Sequence, residues 1–205
     1  FFSKKNLPLD ILSIGNHPEK DIIEDKRCGG MWNPTTQKIL EKNEYFKFFH
    51  FDNMTSKNFY DFLNKKNYDF AIQGGVGIIK KELIEKFNKG IINFHPGLLP
   101  YYRGSSTPEW QILNGDDVYS SCHFIDEGID SGKIIETKKI NISKKSYNHF
   151  RASIYPEIAK HVYEVYRNII NDKNINGTEQ NEKDARYWPI MKENELKKLK
   201  FFFYQ

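Results

Sequence analysis

Asn93 and His95 lie two residues apart in the run Ile91-Ile92-Asn93-Phe94-His95, and Pro96-Gly97 ends that run at once. Side chains alternate along a strand, so the amide and the imidazole share one face and Phe94 takes the other. A second segment, Asp126-Glu127-Gly128-Ile129-Asp130-Ser131-Gly132, crowds carboxylates between glycines. A carboxylate reaching the imidazole would fix its tautomer and favour its charged form, while the amide could donate to an oxyanion developing at a carbonyl carbon. Each residue also has an ordinary role. A strand-end His is commonly structural, an Asn beside a turn often caps it, and an Asp next to Ser-Gly suits a hairpin.

The elements around these groups alternate strand and helix, as a mostly parallel sheet flanked by helices requires. Residues 9–15 read as a short aliphatic strand, His17-Pro18 as loop, 28–33 as a Gly-rich loop, and Thr35 as the cap of a helix through Ile39 and Leu40. Residues 45–51 predict a strand, and 56–67 an amphipathic helix with Phe59, Phe62 and Leu63 on one stripe. A strand over 69–75 ends in two glycines, and Val76-Gly77-Ile78-Ile79 leads into a helix bearing Leu83, Ile84 and Phe87. The strand at 91–95 ends where open α/β sheets keep their ligands. Thr107-Pro108 reads as N-cap and first residue of a helix closed by Gly115. Residues 116–125 and 133–142 predict an antiparallel pair. Ser146 opens a long helix with Phe150, Ile154, Ile158, Val162, Val165 and Ile169 on one stripe, kinked by Pro156. A polar loop over 171–184 and a helix over 191–203 complete the chain. The domain reading is a catalytic domain over 1–172 and a loop-and-helix appendage over 173–205.

A chain of 205 residues buries a real core as one domain, with or without an appendage. Its 31 basic and 27 acidic residues are interspersed, which argues against a nucleic-acid footprint outside Lys197, Lys198 and Lys200. Cys28 and Cys122 fit no metal spacing and read as free thiols in a reducing cytoplasm, and no metal is implied. Without a long apolar run or a basic-then-apolar leader, the expected setting is cytoplasmic, away from membranes.

Together these residues resemble the 10-formyltetrahydrofolate-dependent formyltransferases, a family that includes glycinamide ribonucleotide, methionyl-tRNA and sugar-nucleotide enzymes. The family's Asn-x-His-x-x-Leu-Leu-Pro signature stands here as Asn93 to Pro100, followed by Tyr102-Arg103-Gly104, and its downstream loop as Glu127 to Gly132. The resemblance implies a Rossmann-like formyltransferase fold, a catalytic trio of Asn93, His95 and Asp130, and 10-formyltetrahydrofolate as donor, with no metal. A primary amine would attack the formyl carbon, protonated His95 and the Asn93 amide would stabilise the oxyanion, and Asp130 would hold His95 charged and relay protons. The pterin would lie against Val76, Gly77, Ile78 and Ile79 on one side and Ile125, Asp126, Gly128 and Ile129 on the other.

Departures from the pattern bear on the acceptor. Relatives begin with another strand and helix, so 9–15 corresponds to their second strand, and a chain starting at Phe1 is expected to lack the first strand or to be a fragment. The residues given after Ile142 read as too few and too helical to form the C-terminal β domain of methionyl-tRNA formyltransferases, and Pro96 stands where hydrolase relatives carry a second His. Elimination leaves a small amine, foremost an amino-sugar nucleotide, with Arg103, Gly104 and Ser105 contacting it and Arg103 meeting its phosphate. A glycinamide ribonucleotide formyltransferase-like enzyme and a truncated, non-catalytic folate- or nucleotide-binding relative are the alternatives. A homodimer through 201–204 is left open.

Overall fold

The computed structural model describes residues 9–15, 18–31, 46–171 and 175–203. They fall into two compact units that divide between Asn67 and Tyr68. The first contains strand β1 (Asp10–Ile14), helix α1 (Pro18–Arg27), strand β2 (Lys47–Phe51) and helix α2 (Lys57–Lys66). β1 and β2 pair in parallel, with Leu12 opposite Phe49. Ser56 and Asn67 bound α2, Asn67 in the left-handed conformation that ends helices. Phe59 and Leu63 are buried, and Phe62 packs 4.5 Å from Phe49 between ring centroids. α1 begins at Pro18, read as loop from the sequence, and runs through residues 19–27, for which the sequence predicts no element. Ile22 and Ile23 both face solvent, so the helix has no buried apolar stripe for periodicity to reveal. The helix expected to start at Thr35 lies outside the described residues.

The second unit carries β3 (Ala71–Ile72), α3 (Lys81–Ile84), β4 (Ile91–His95), β5 (Arg103–Gly104), α4 (Thr107–Leu113), β6 (Tyr119–Phe124), β7 (Ile134–Lys139), α5 (Tyr147–Ile170), β8 (Tyr187–Trp188) and α6 (Glu193–Phe202). Its main sheet has the order β3-β4-β6-β7. β3 and β4 run parallel through the α3 crossover, whereas β6 is antiparallel to both β4 and β7. A second small sheet joins β5 to β8 in parallel. The Rossmann-like α/β character thus holds, with an antiparallel extension beyond β4. Ser106, in a left-handed conformation, is the N-cap of α4, one residue earlier than expected, and Thr107 donates its hydroxyl to Pro96 O instead.

α5 covers the face of β4 that carries Ile92 and Phe94, packing Val165 and Ile169 against them and Cys122. Burying each of these large side chains stabilises the fold by roughly 1.5–3 kcal/mol. That choice of face leaves Asn93 and His95 on the opposite side of the sheet. A second cluster gathers Tyr102, Trp110, Val118, Ile140, Phe150 and Ile154 with Met191 and Leu199, so residues read as an appendage help to build the core. Trp188 stacks on Tyr102 at 5.4 Å, and Trp110 donates to Pro189 O. α5 continues through Pro156, and Ser146 caps it by accepting from His149 N–H. No helix among the described residues is long and apolar enough to cross a membrane.

His161 is fully buried beneath Phe94, with Nδ1 2.9 Å from Ser120 Oγ. Burial, reinforced by Lys138, pushes its pKa down to about 4. An unfolded chain therefore binds a proton that the native state refuses, and stability falls as pH drops from about 6.5 towards 4. Replacing His161 by Leu is expected to remove ~3 kcal/mol of that acid-side loss, read as a shallower pH dependence of the unfolding free energy in urea titrations.

Candidate active site

Antiparallel pairing sets Asn93 opposite His123 and His95 opposite Ser121. His123 Nδ1 lies 2.8 Å from Phe124 O and Nε2 lies 3.1 Å from Asn93 Nδ2. A carbonyl can only accept, so the proton of His123 sits on Nδ1 and its Nε2 lone pair accepts from the Asn93 amide. Burial lowers the His123 pKa despite the attraction of Asp130, which keeps that lone pair available. An amide nitrogen carries two hydrogens. With one held by His123, the other is the one available to a developing oxyanion.

His95 is 4% exposed. Its Nε2 donates to Tyr102 O at 2.6 Å, which assigns the ring proton, and Nδ1 faces Asp130 Oδ1 at 3.4 Å. The same carboxylate oxygen is 3.7 Å from His123 Nε2. The sequence reading had Asp130 hold His95 charged, and here a correction is needed. Burial, the largest influence, lowers the His95 pKa, and the opposing pull of Asp130 and of Tyr102 O does not cancel it. The resting imidazole favours its neutral form, with the Nδ1 lone pair beside a carboxylate that would stabilise any proton arriving there. The group is thus set to act as a base.

Asp130 reaches this point by an indirect path. Because β6 runs antiparallel, it ends beside the start of β4, where Ile125 N–H bonds Ile91 O at 2.7 Å. The loop then folds back over the Asn93–His95 face. Asp126 organises it by accepting from Gly128 N–H and Ser131 Oγ, and Asp130 adopts a left-handed φ of 53°. Gly104 N–H donates to Asp130 Oδ2 at 2.9 Å. A side chain at Gly104 would strike Trp188 O, so glycine is required where β5 passes β8.

Of the residues expected to meet the donor, Ile79 is buried and Val76 and Ile125 are half-buried, while Gly77, Asp126 and Gly128 are exposed. Ile78 and Ile129 are 88% and 60% exposed, two large aliphatic side chains held out on separate loops. Gly77 has φ +88°, and a Cβ at Gly74 or Gly77 would touch no atom within 4 Å, leaving room beside that turn. Of the residues expected to meet the acceptor, Ser105 has an exposed side chain and donates its N–H to Trp188 O, and Gly104 gives its N–H to Asp130. Arg103 requires a correction. It is fully buried, and its five N–H donors go to Gln180 Oε1, both Glu182 oxygens and Tyr187 Oη, leaving none for a phosphate.

His123 and Gln180 were not singled out by sequence reasoning. The strand reading did contain a signal for His123, a His on an alternating strand shortly before the carboxylate loop. Gln180, in a polar stretch without periodicity, offered none. Among the described residues no three His, Cys, Asp or Glu side chains are arranged to hold a metal ion.

The profile of a family described as Formyl transferase matches residues 16–167. The chain belongs to the formyl transferase family. Among its curated relatives, the methionyl-tRNA formyltransferase of Thermodesulfovibrio yellowstonii is 38% identical over 94 residues, 45% of this chain and 30% of that protein. The methionyl-tRNA formyltransferase of Clostridioides difficile is 28% identical over 188 residues, 89% of this chain and 58% of that protein. The chain thus spans between 30% and 58% of the length of these relatives. Among solved structures, it shares the fold of the formyltransferase PseJ from Anoxybacillus kamchatkensis, solved with UDP-4,6-dideoxy-4-formamido-L-AltNAc and tetrahydrofolate, with a TM-score of 0.61 and 21% identity over 93% of this chain and 90% of that one. Within this family member, the tight spot of the site is Gly97, where a Cβ would come within 2.7 Å of both His95 Nε2 and Tyr102 O. Gly97→Ala is expected to cost ~1–3 kcal/mol of stability and to abolish the slowly exchanging His95 Nε2–H signal in proton NMR spectra.

Proposed function

We propose that this chain transfers a formyl group from 10-formyltetrahydrofolate to a primary amine. The observation that carries the reading is the convergence of the Asn93 amide, the neutral His95 imidazole and the Asp130 carboxylate on one face of β4. As the amine nitrogen bonds to the formyl carbon, the carbonyl electron pair moves to oxygen, where the second N–H of Asn93 donates to it. His95 accepts the proton shed by the attacking nitrogen at Nδ1, next to Asp130, and that proton then goes to the departing folate nitrogen. The open turn around Gly77 and the exposed Ile78 and Ile129 suit the flat pterin of the donor.

For the acceptor, an amino-sugar nucleotide is favoured. Coverage near the full length of both chains relates this fold to PseJ, whose structure holds a formamido sugar linked to UDP. Methionyl-tRNA is the second reading, because the curated relatives carry that name. Incubation with 10-formyltetrahydrofolate and either a UDP-linked 4-amino-4,6-dideoxy sugar or methionyl-tRNA separates them by which amine gains the formyl group, and transfer to neither would remove the reading.

Asn93→Ala is expected to lower kcat by about 10²–10³-fold, the loss typical of one oxyanion donor, in steady-state assays. Since the active His95 is neutral and its pKa is lowered by burial, the rate should lose nothing to His95 protonation above pH 7. It should fall on an acidic limb with a midpoint below about 6.5, and a rate that instead rises as pH drops through 6.5 would contradict base catalysis.

A further inference from the structure

Asp130 is held from two sides by groups that the reaction itself does not touch. Arg103 cannot shed its charge, so its complete burial demands a partner for each donor. Glu182 takes one edge of the fork in a bidentate pair at 3.0 and 2.6 Å, and this pairing holds the Glu182 carboxyl below the usual range. Gln180 Oε1 receives Arg103 Nε at 3.1 Å and NH2 at 2.8 Å. A guanidinium only donates, so the amide oxygen of Gln180 has to face it, and the amide nitrogen is forced to the opposite side. There Nε2 donates to Asp130 O at 2.9 Å and to Gly132 O at 2.7 Å, closing the turn in which Asp130 is left-handed. Arg103 also precedes Gly104, whose N–H holds the Asp130 carboxylate. Backbone and side chain of Asp130 are therefore both fixed from β5, one directly and one through Gln180.

We propose that Arg103 and Gln180 are positioning residues for Asp130, so that a segment beyond the family-matched residues 16–167 sets the geometry of the catalytic carboxylate. β8 and the bridge between Ile134 and Thr178 anchor that segment on either side of Gln180. The proposal rests on the formyl-transfer reading of Asn93, His95 and Asp130. Its consequence is that loosening Gln180 acts on His95 only through Asp130.

The test compares Gln180→Met, Asp130→Asn and the double variant in the full chain with ¹³C-labelled histidine, following the His95 and His123 imidazoles by NMR as pH is varied, which needs no acceptor. In both single variants His95 should titrate at lower pH than in the unaltered chain, since the carboxylate that favours its charged form is displaced or neutralised, and the double variant should titrate no lower than Asp130→Asn. In turnover with 10-formyltetrahydrofolate and the UDP-linked amino sugar, Gln180→Met should lose about tenfold to a hundredfold in kcat with KM within about twofold. Should Gln180→Met not fold, Gln180→Ala, which adds no charge and removes both donors to the loop, carries the same expectation. Unaltered titration in the Gln180 variant beside a shifted Asp130→Asn would overturn the positioning role alone. Titration and turnover untouched by Asp130→Asn would bring down the formyl-transfer reading itself.

Discussion

Asp130 is a carboxylate only 14% exposed, and a charge taken that far out of water needs donors close by. The rest of the site is arranged around that demand. Gly104 N–H meets one oxygen, and the His95 and His123 rings stand by the other. Because the loop carrying Asp130 leaves β6 at the wrong end of β4, it has to double back, and the return is held by Asp126 within the loop and by Gln180 from the C-terminal segment. One half-buried carboxylate thus couples β4, β5, β6 and β8, elements far apart in the chain.

The same burial decides the protonation of the imidazoles. Desolvation disfavours a charged ring more than Asp130 favours it, so both His95 and His123 rest neutral. Neutrality has a different use in each. His123 uses its lone pair to orient the Asn93 amide, and in the proposed reaction His95 uses its lone pair to receive a proton. The two carbonyls of Tyr102 and Phe124 assign the tautomers, since each can only accept.

None of this chemistry identifies the amine. In the proposed reaction the trio meets only the reacting centre, so acceptor choice would reside in surfaces around it. The burial of Arg103 sharpens the point. The nearest basic group to the signature motif is spent on internal order, with Glu182, Gln180 and Tyr187 as its partners.

Residue order alone determined the features that depend on neighbours in sequence. Period-two and period-3.6 patterns with their turn residues placed β4, α2, the β6–β7 hairpin and α5, and the alternation along β4 put Asn93 and His95 on one face. The spelling of the motif carried the family. Only the tertiary structure decided what depends on contacts between distant segments: the register that sets His123 against Asn93, the burial that occupies every donor of Arg103, and the reach of Gln180 to Asp130. The charge state of His95 belongs with these, because a desolvation cost exists only once the chain has closed around the ring, and no spacing of residues along a strand encodes how much water is left beside it.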